Sequence, residues 1–344
     1  MRLLTTLGLF VLGVGLLTSC GRKLDTGACQ ETFEEGATAT CQLDGWGERP
    51  YDLVLPEGYD PEVPVPLVVA VHGGGGNSQA AIRTTCPDGS VDNDECLHNL
   101  AKREGFAVAY PNGTPARLAG GIRTWNAGGD GQVWRCTSGR ACEEGVDDIG
   151  YMNDLLDDIE ARVNVNTDRV YFTGLSNGAA MSYAAACEMS DRITAIVPIG
   201  GAMQWTTTND CQPERPVPVM HIHGADDPAW QYEGGPSEAV DNQGDAEHVS
   251  VERTLAEWEQ INGCGSEVRH EELEDTAPLD LSTTTRIEWQ GCDANLVHMK
   301  IEGGGHTWPN GYQYFSRSRI GPVSRDWGNE IIWEFMRQQS LADD

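Results

Sequence analysis

The sequence predicts an α/β fold with a mostly parallel central sheet, helices on both faces, and disulfide staples. Short apolar runs rich in β-branched residues alternate with segments of helical periodicity, the order that gives parallel strands joined by crossover helices. Runs such as Leu67-Val68-Val69-Ala70-Val71 are apolar at every position, as in strands covered on both faces. Of 11 cysteines, ten remain when Cys20 is set aside, an even set that suits a cross-linked exported chain.

Taken in order, residues 1–20 read as a targeting signal. Arg2 supplies the positive start, Leu3 to Leu17 an apolar run too short for a membrane span, and Leu17-Thr18-Ser19-Cys20 follows. Small residues directly before a cysteine resemble the bacterial lipobox, so Cys20 is expected to become a lipidated N-terminus and hold the protein outside the cytoplasm. Residues 21–48, polar and acidic, read as a tether, and residues 49–344 as one domain.

Tyr51 to Leu55 alternates like a strand and is closed by the turn Glu57-Gly58-Tyr59-Asp60-Pro61. The run 67–71 leads straight into His72-Gly73-Gly74-Gly75-Gly76-Asn77, where glycines allow backbone N–H groups to face a ligand. Between Cys86 and Cys96 lies an acidic stretch whose spacing does not match an EF-hand, and a disulfide-closed loop is expected there. Phe106 to Tyr110 is a further strand, followed by the glycine-rich loop Trp125-Asn126-Ala127-Gly128-Gly129. From Asp147, residues Ile149, Met152, Leu155, Leu156, Ile159 and Val163 recur at helical spacing. Val170 to Thr173 is a strand, Asn177 to Met189 a small-residue helix, and Ile193 to Ile199 and Val217 to His223 two more strands. Residues 248–261 read as helix, Asn295 to Ile301 as strand and Asp326 to Gln338 as a final amphipathic helix.

Short separations suggest Cys86–Cys96 and Cys136–Cys142 as loop staples, with Cys29–Cys41, Cys187–Cys211 and Cys264–Cys292 completing the set. No C-x-x-C pair is present, so neither a structural metal nor another cofactor is expected. The net charge of -30 argues against nucleic acid, anionic polysaccharide or a bare anionic bilayer as partner and leaves a neutral substrate unaffected.

The chemistry centres on Gly174-Leu175-Ser176-Asn177-Gly178, a G-x-S-x-G pattern between a strand and a helix. At such a sharp turn a serine is thrust outward, and side chains two residues either side would collide. A serine hydroxyl needs an imidazole to take its proton and a carboxylate to orient that imidazole. Downstream, the strand 217–223 ends in Gly224-Ala225-Asp226-Asp227-Pro228, which offers two carboxylates at a strand end. Of the histidines beyond them, His248 and His270 sit in polar segments and read as surface residues, and His298 lies within a strand. His306 follows Gly303-Gly304-Gly305, a connector able to bring its ring back over the serine turn, and is the expected base. The N–H groups of Gly74 and Asn177 are the expected oxyanion donors. His72 reads as a support for the glycine loop, and His221 and His223 as structural.

These stretches, together with Tyr110-Pro111-Asn112-Gly113-Thr114, Trp125-Asn126, Val146-Asp147-Asp148-Ile149-Gly150 and Gly303-Gly304-Gly305-His306-Thr307-Trp308-Pro309, resemble the extracellular esterase family of polyhydroxybutyrate depolymerases and feruloyl esterases. The resemblance runs from about Tyr51 to Trp308 and implies an α/β-hydrolase fold. It implies Ser176 as nucleophile, His306 as base and Asp227, the third residue after His223-Gly224, as acid. Trp230 and Gln231 stand where the family tends to carry a smaller apolar residue and a proline, which bears on substrate preference. The expected activity is hydrolysis of neutral, polymer-borne esters: feruloyl or acetyl esters of plant polysaccharide, or a hydroxyalkanoate polyester. Trp125, Trp230 and Trp308 are candidate walls for such a substrate, and a monomer is favoured. A non-catalytic glycan-binding lipoprotein and a serine peptidase on the same fold are the rival readings.

Overall fold

Alternation along β4 (Val65–Val71) organises the molecule: Leu67, Val69 and Val71 enter one apolar cluster and Val68 and Ala70 another, on opposite faces of the sheet. The computed structural model describes residues 27–28, 38–116, 121–128, 140–236 and 247–343. Before β4 come β1 (Gly27–Ala28), β2 (Thr38–Gln42) and β3 (Pro50–Val54); after it come α1 (Ser78–Thr84), α2 (Leu97–Glu104) and β5 (Ala107–Pro111). A small ribbon, β6 (Thr114–Pro115) with β7 (Arg123–Thr124), precedes α3 (Asp148–Glu160), β8 (Val165–Leu175), α4 (Asn177–Glu188), β9 (Ala195–Ile199) and β10 (Val219–Gly224). The chain continues through α5 (Val251–Ile261), β11 (Val268–Glu272), β12 (Thr283–Trp289), β13 (Leu296–Glu302), α6 (Arg317–Ile320) and α7 (Asn329–Arg337).

The strands form one sheet in the order β1-β2-β3-β5-β4-β8-β9-β10-β13-β12-β11. From β5 to β13 every neighbour is parallel, whereas β2–β3, β3–β5, β13–β12 and β12–β11 are antiparallel. This is the mostly parallel, doubly covered sheet expected of the sequence, with antiparallel flanks that the apolar pattern did not announce. Parallel strands all point their C-terminal ends the same way, so the loops after β4, β8, β10 and β13 gather at one rim. That gathering positions the site.

Helix starts carry local signals. Asn77 caps α1 by accepting from the Ala80 N–H, Asp147 caps α3 from Gly150, and Ser250 caps α5 from Arg253. The small residues of α4, Ala179, Ala180, Ala184, Ala185 and Ala186, are all fully buried, which lets this helix lie close against β8 and β9. At the far end, the α7 ring of Trp333 stacks on Phe106 at 3.9 Å.

The tether expected over residues 21–48 is corrected here, because Thr38 to Gln42 is strand β2, paired residue for residue with β3. Its inward positions are only Ala39 and Cys41, both buried, while threonines and Gln42 face outward. A half-solvated strand next to the two-residue edge strand β1, with small inward side chains, has no apolar run to read. Disulfides Cys86–Cys96, Cys187–Cys211 and Cys264–Cys292 form as expected, each worth roughly 2–4 kcal/mol through loop closure in the unfolded chain. Cys41 and Cys142 are also disulfide-bonded; their expected partners Cys29 and Cys136 lie outside the described residues, as do Cys20 and the whole of 1–26. Among the described residues no helix is long and apolar enough to cross a membrane.

Candidate active site

Strand β8 delivers Ser176 at a turn with φ 62° and ψ -121°, a conformation that non-glycine residues avoid. The strain is held from several sides: the Ser176 N–H donates to the Ile199 carbonyl, and its own carbonyl accepts from Ala179 and Ala180. Although Ser176 occupies the cap position of α4, its hydroxyl makes no capping bond, so Oγ is left available.

Gly174 and Gly178 are required by contact. A Cβ on Gly178 would sit 2.2 Å from the Val71 carbonyl oxygen and 2.8 Å from that of His72; one on Gly174 would sit 2.6 Å from the Gly178 backbone. The turn is therefore pressed onto the end of β4. Gly178→Ala is expected to cost at least about 2 kcal/mol through overpacking against immobile backbone, and to lower the melting temperature by roughly 5 °C or more. Thermal unfolding of the purified variant checks this, and an unchanged midpoint would contradict the packing.

His306 and Asp227 meet across the rim. His306 Nδ1 donates to Asp227 Oδ2 at 2.7 Å, which leaves Nε2 as the uncommitted nitrogen of a ring that lines the cavity. Asp227 Oδ1 accepts from the N–H groups of Ala229 and Trp230, both at 2.8 Å, so the carboxylate is fixed in one orientation. Asp226 is exposed and Asp227 buried, which separates the two neighbouring carboxylates. Gly200 lies directly beneath the pair: a Cβ there would be 3.5 Å from His306 Nδ1 and 3.6 Å from Asp227 Oδ2. The Tyr314 hydroxyl donates to the His306 carbonyl at 2.8 Å and steadies the loop from the other side.

The glycine loop after β4 passes beside the serine, a Cβ on Gly73 falling 3.4 Å from that of Ser176. Within the loop, the Gly75 N–H donates to the Arg123 carbonyl and that of Gly76 to Gly73. The N–H groups of Gly74 and Asn177 have no acceptor among the described residues, and Asn177 opens a helix whose positive end faces the same space. His72 braces the loop by donating from Nδ1 to the Gly73 carbonyl at 2.8 Å and accepting the Gly113 N–H on Nε2 at 3.0 Å. Burial pushes its pKa down to about 3, so this imidazole stays neutral.

Trp125 needs a correction. It is fully buried and lies away from the cavity: its indole N–H donates to the His72 carbonyl at 3.0 Å, and its ring packs against His72 and Tyr151. The Asn177 side chain clamps the same segment, its Oδ1 accepting from Thr124 Oγ1 and the Trp125 N–H while its Nδ2 donates to the Trp125 carbonyl. Behind these, buried Asp148 pairs with Arg49 and accepts from the Asn126 N–H. Burial raises the Asp148 pKa against the lowering influence of Arg49. Asn112 ties β3 to the start of α1 through Pro50 and Ser78. Asn112, Trp125, Asn126, Asp148 and Asn177 fall in the stretches that resemble the esterase family and Arg49 lies outside them, but nothing in their spacing announces the partners.

A cavity of about 720 Å³ opens onto Ser176 and His306. Trp230 and Trp308 line it, with Tyr312, Tyr314 and Phe315. Trp230 is anchored by its N–H to the Val249 carbonyl and Trp308 by its N–H to Asn329 Oδ1. His248, expected at the surface, instead lines the cavity and stacks on Trp230 with ring centroids 4.1 Å apart. Burial pushes its pKa down to about 4. His270 is exposed on β11, as expected. Among the described residues one group, Cys86, Cys96 and His98, has metal-ligand spacing, and both of its sulfurs are already joined to each other.

A fixed carboxylate, an imidazole lining a cavity, a strained serine and two unused N–H donors can together perform nucleophilic attack on a carbonyl. Comparison with known proteins points the same way. Residues 135–238, under a third of the chain, match the family model described as Phospholipase/Carboxylesterase. Feruloyl esterase C of Emericella nidulans is 28% identical over 316 residues, covering 89% of this chain and 88% of that protein. The bifunctional acetylxylan esterase/xylanase XynS20E of Neocallimastix patriciarum is 25% identical over 245 residues; the match covers 70% of this chain and 28% of that enzyme's length. Among solved structures, the acetyl xylan esterase from Aspergillus awamori superposes with a TM-score of 0.54 at 13% identity, covering 88% of this chain and 99% of that one. That likeness is one of fold.

Proposed function

We propose that this chain, an α/β-hydrolase and a carboxylic ester hydrolase in kind, is a serine esterase of the cell exterior that removes feruloyl or acetyl groups from plant polysaccharide. The observation that carries the reading is the Asp227–His306 bond at 2.7 Å beside the strained Ser176 turn on one aromatic-walled cavity. Ser176 Oγ attacks the ester carbonyl carbon as its proton passes to His306 Nε2. The oxyanion is held by the Gly74 and Asn177 N–H groups. Collapse expels the alcohol, which takes the proton from His306, and leaves an acyl group on Ser176. Water, deprotonated by the same imidazole, then attacks the acyl-enzyme and frees the acid.

Asp227 keeps the imidazole in the tautomer with Nδ1–H and offsets the charge it gains. Trp230 and Trp308 are the walls for the acyl group, and a cavity of about 720 Å³ has room for an aromatic acid. Export fits the disulfides, which persist in oxidising compartments, and the Leu17–Cys20 pattern supports lipid attachment at Cys20.

Product analysis tests the substrate. Protein lacking residues 1–20 is incubated in parallel with methyl ferulate, acetylated xylan and polyhydroxybutyrate. Ferulic acid or acetate is expected; hydroxybutyrate as the sole product would move the reading to a polyester, and no product from any of the three would overturn it.

A further inference from the structure

The cavity holding Ser176 and His306 runs against the grain of the chain. The protein carries 53 acidic and 23 basic residues, yet the described lining includes Arg83 and Arg319 and no carboxylate. Neither guanidinium makes an ion pair or a hydrogen bond to another described residue. Each lies instead over an aromatic ring of one lining segment: Arg83 Cζ is 5.2 Å from the Tyr312 ring centre and Arg319 Cζ 4.4 Å from that of Phe315. Both arginines are exposed, and so is Phe315, an apolar side chain kept at the surface beneath a cation.

A guanidinium stacked on a ring presents its N–H donors outward in its own plane, the arrangement that grips a carboxylate with two parallel hydrogen bonds. The segment bearing both rings is tied to His306 through Tyr314, and both arginines line the cavity that holds Ser176, so an anion held there shares that cavity with the ester. Resting on the serine-esterase reading above, the geometry points to an anion subsite at the cavity mouth. There Arg83 and Arg319 select esters whose acid or alcohol part carries a carboxylate.

The net charge of -30 does not oppose this. At physiological ionic strength charges are screened beyond about 8 Å, so one carboxylate within the cavity responds to the two nearby arginines. A polyanion lying across the acidic surface is still repelled.

The test uses matched esters. For the acyl side, 4-nitrophenyl hydrogen succinate is compared with 4-nitrophenyl butyrate; for the alcohol side, 4-acetoxybenzoate is compared with its methyl ester. In at least one pair the anionic member is expected to have the higher kcat/KM. That preference should fall by about tenfold or more in the Arg83→Gln/Arg319→Gln double variant, and shrink in the wild type when salt is raised about tenfold. Preference for the neutral member in both pairs, or a preference untouched by the double substitution, overturns the subsite while leaving the esterase reading intact. Absence of turnover for all four esters overturns the esterase reading, and the subsite falls with it.

Discussion

Replacing Ser176 with alanine is expected to lower kcat/KM for p-nitrophenyl acetate by about 10⁴-fold or more, while the protein unfolds at nearly its normal temperature. The two halves of that expectation come from separate observations. The serine hydroxyl takes no part in capping α4, so its loss removes no bond on which the fold depends. The turn itself is held by the Ser176 N–H and carbonyl, both of which alanine keeps. Alanine also shares serine's penalty at φ 62°, so the strain is unchanged. Activity should therefore vanish from an intact molecule. Steady-state kinetics, thermal unfolding and labelling with a fluorophosphonate probe are measured on the same sample. Labelling that persists in the variant would show that another residue is the nucleophile.

How far this site could be read from sequence depends on the kind of constraint each residue obeys. The serine turn, the histidine after three glycines and the aspartate at a strand end are local patterns. Gly174 and Gly178 mark a place where backbone touches backbone, and that requirement leaves a signature within five residues. The supports behind the site obey long-range constraints. Asn177 clamps Trp125 across 52 positions, and Arg49 meets Asp148 across 99. No period or spacing encodes such pairs. Trp125 illustrates the cost: beside a glycine-rich loop it reads as a substrate wall, yet its ring closes the core under His72. His248 is the opposite case, a histidine in a polar segment drawn inward by stacking on Trp230.

The same division explains the fold. Apolar runs located the buried parallel strands within two or three residues of β4, β5, β9, β10 and β13, because strands covered on both faces are mostly apolar; β10 and β13 were found although they carry His221, His223, His298 and Lys300. Strands β2, β11 and β12 are flanks. Along β11 four of five residues are exposed, so its composition follows solubility and its existence follows pairing with β12. A flank takes its structure from its neighbour, which sequence periodicity does not record.

Acid is expected to weaken the fold well above the range where carboxylates titrate, because of a chain of buried histidines behind Asp227. His223 Nε2 faces the Trp230 carbonyl at 2.8 Å and must donate to it. Its Nδ1 therefore accepts from His221 Nε2 at 3.2 Å, and His221 Nδ1 in turn accepts the Tyr183 hydroxyl proton at 2.8 Å. His298 donates from Nδ1 to the His221 carbonyl and accepts from Tyr232 on Nε2. Every ring nitrogen is committed, so an added proton breaks a bond and places a charge in the core. Burial lowers the pKa of all three from the ordinary 6.5, to about 3 for His298. Nearby Asp227 favours the charged form of His223, His306 opposes it, and Lys300 opposes it for His298, but burial outweighs these. The unfolded chain thus takes up protons first as the pH falls. Stability is complete above about 6.5 and declines from there toward the folded-state values. A buried histidine whose folded-state value lies well below 5.5, as that of His298 does, costs about 1 kcal/mol at pH 5.5, and buried His72 and His248 add to the same loss, against a total of roughly 5–15 kcal/mol for a typical domain. Denaturant unfolding at pH 7.5 and 5.5 should show that difference, since carboxylates with ordinary values near 4 stay ionised throughout the interval. Equal stability at the two pH values would mean that these imidazoles take up protons in place, and the hydrogen-bond directions that hold the Trp230 loop around Asp227 would have to be redrawn.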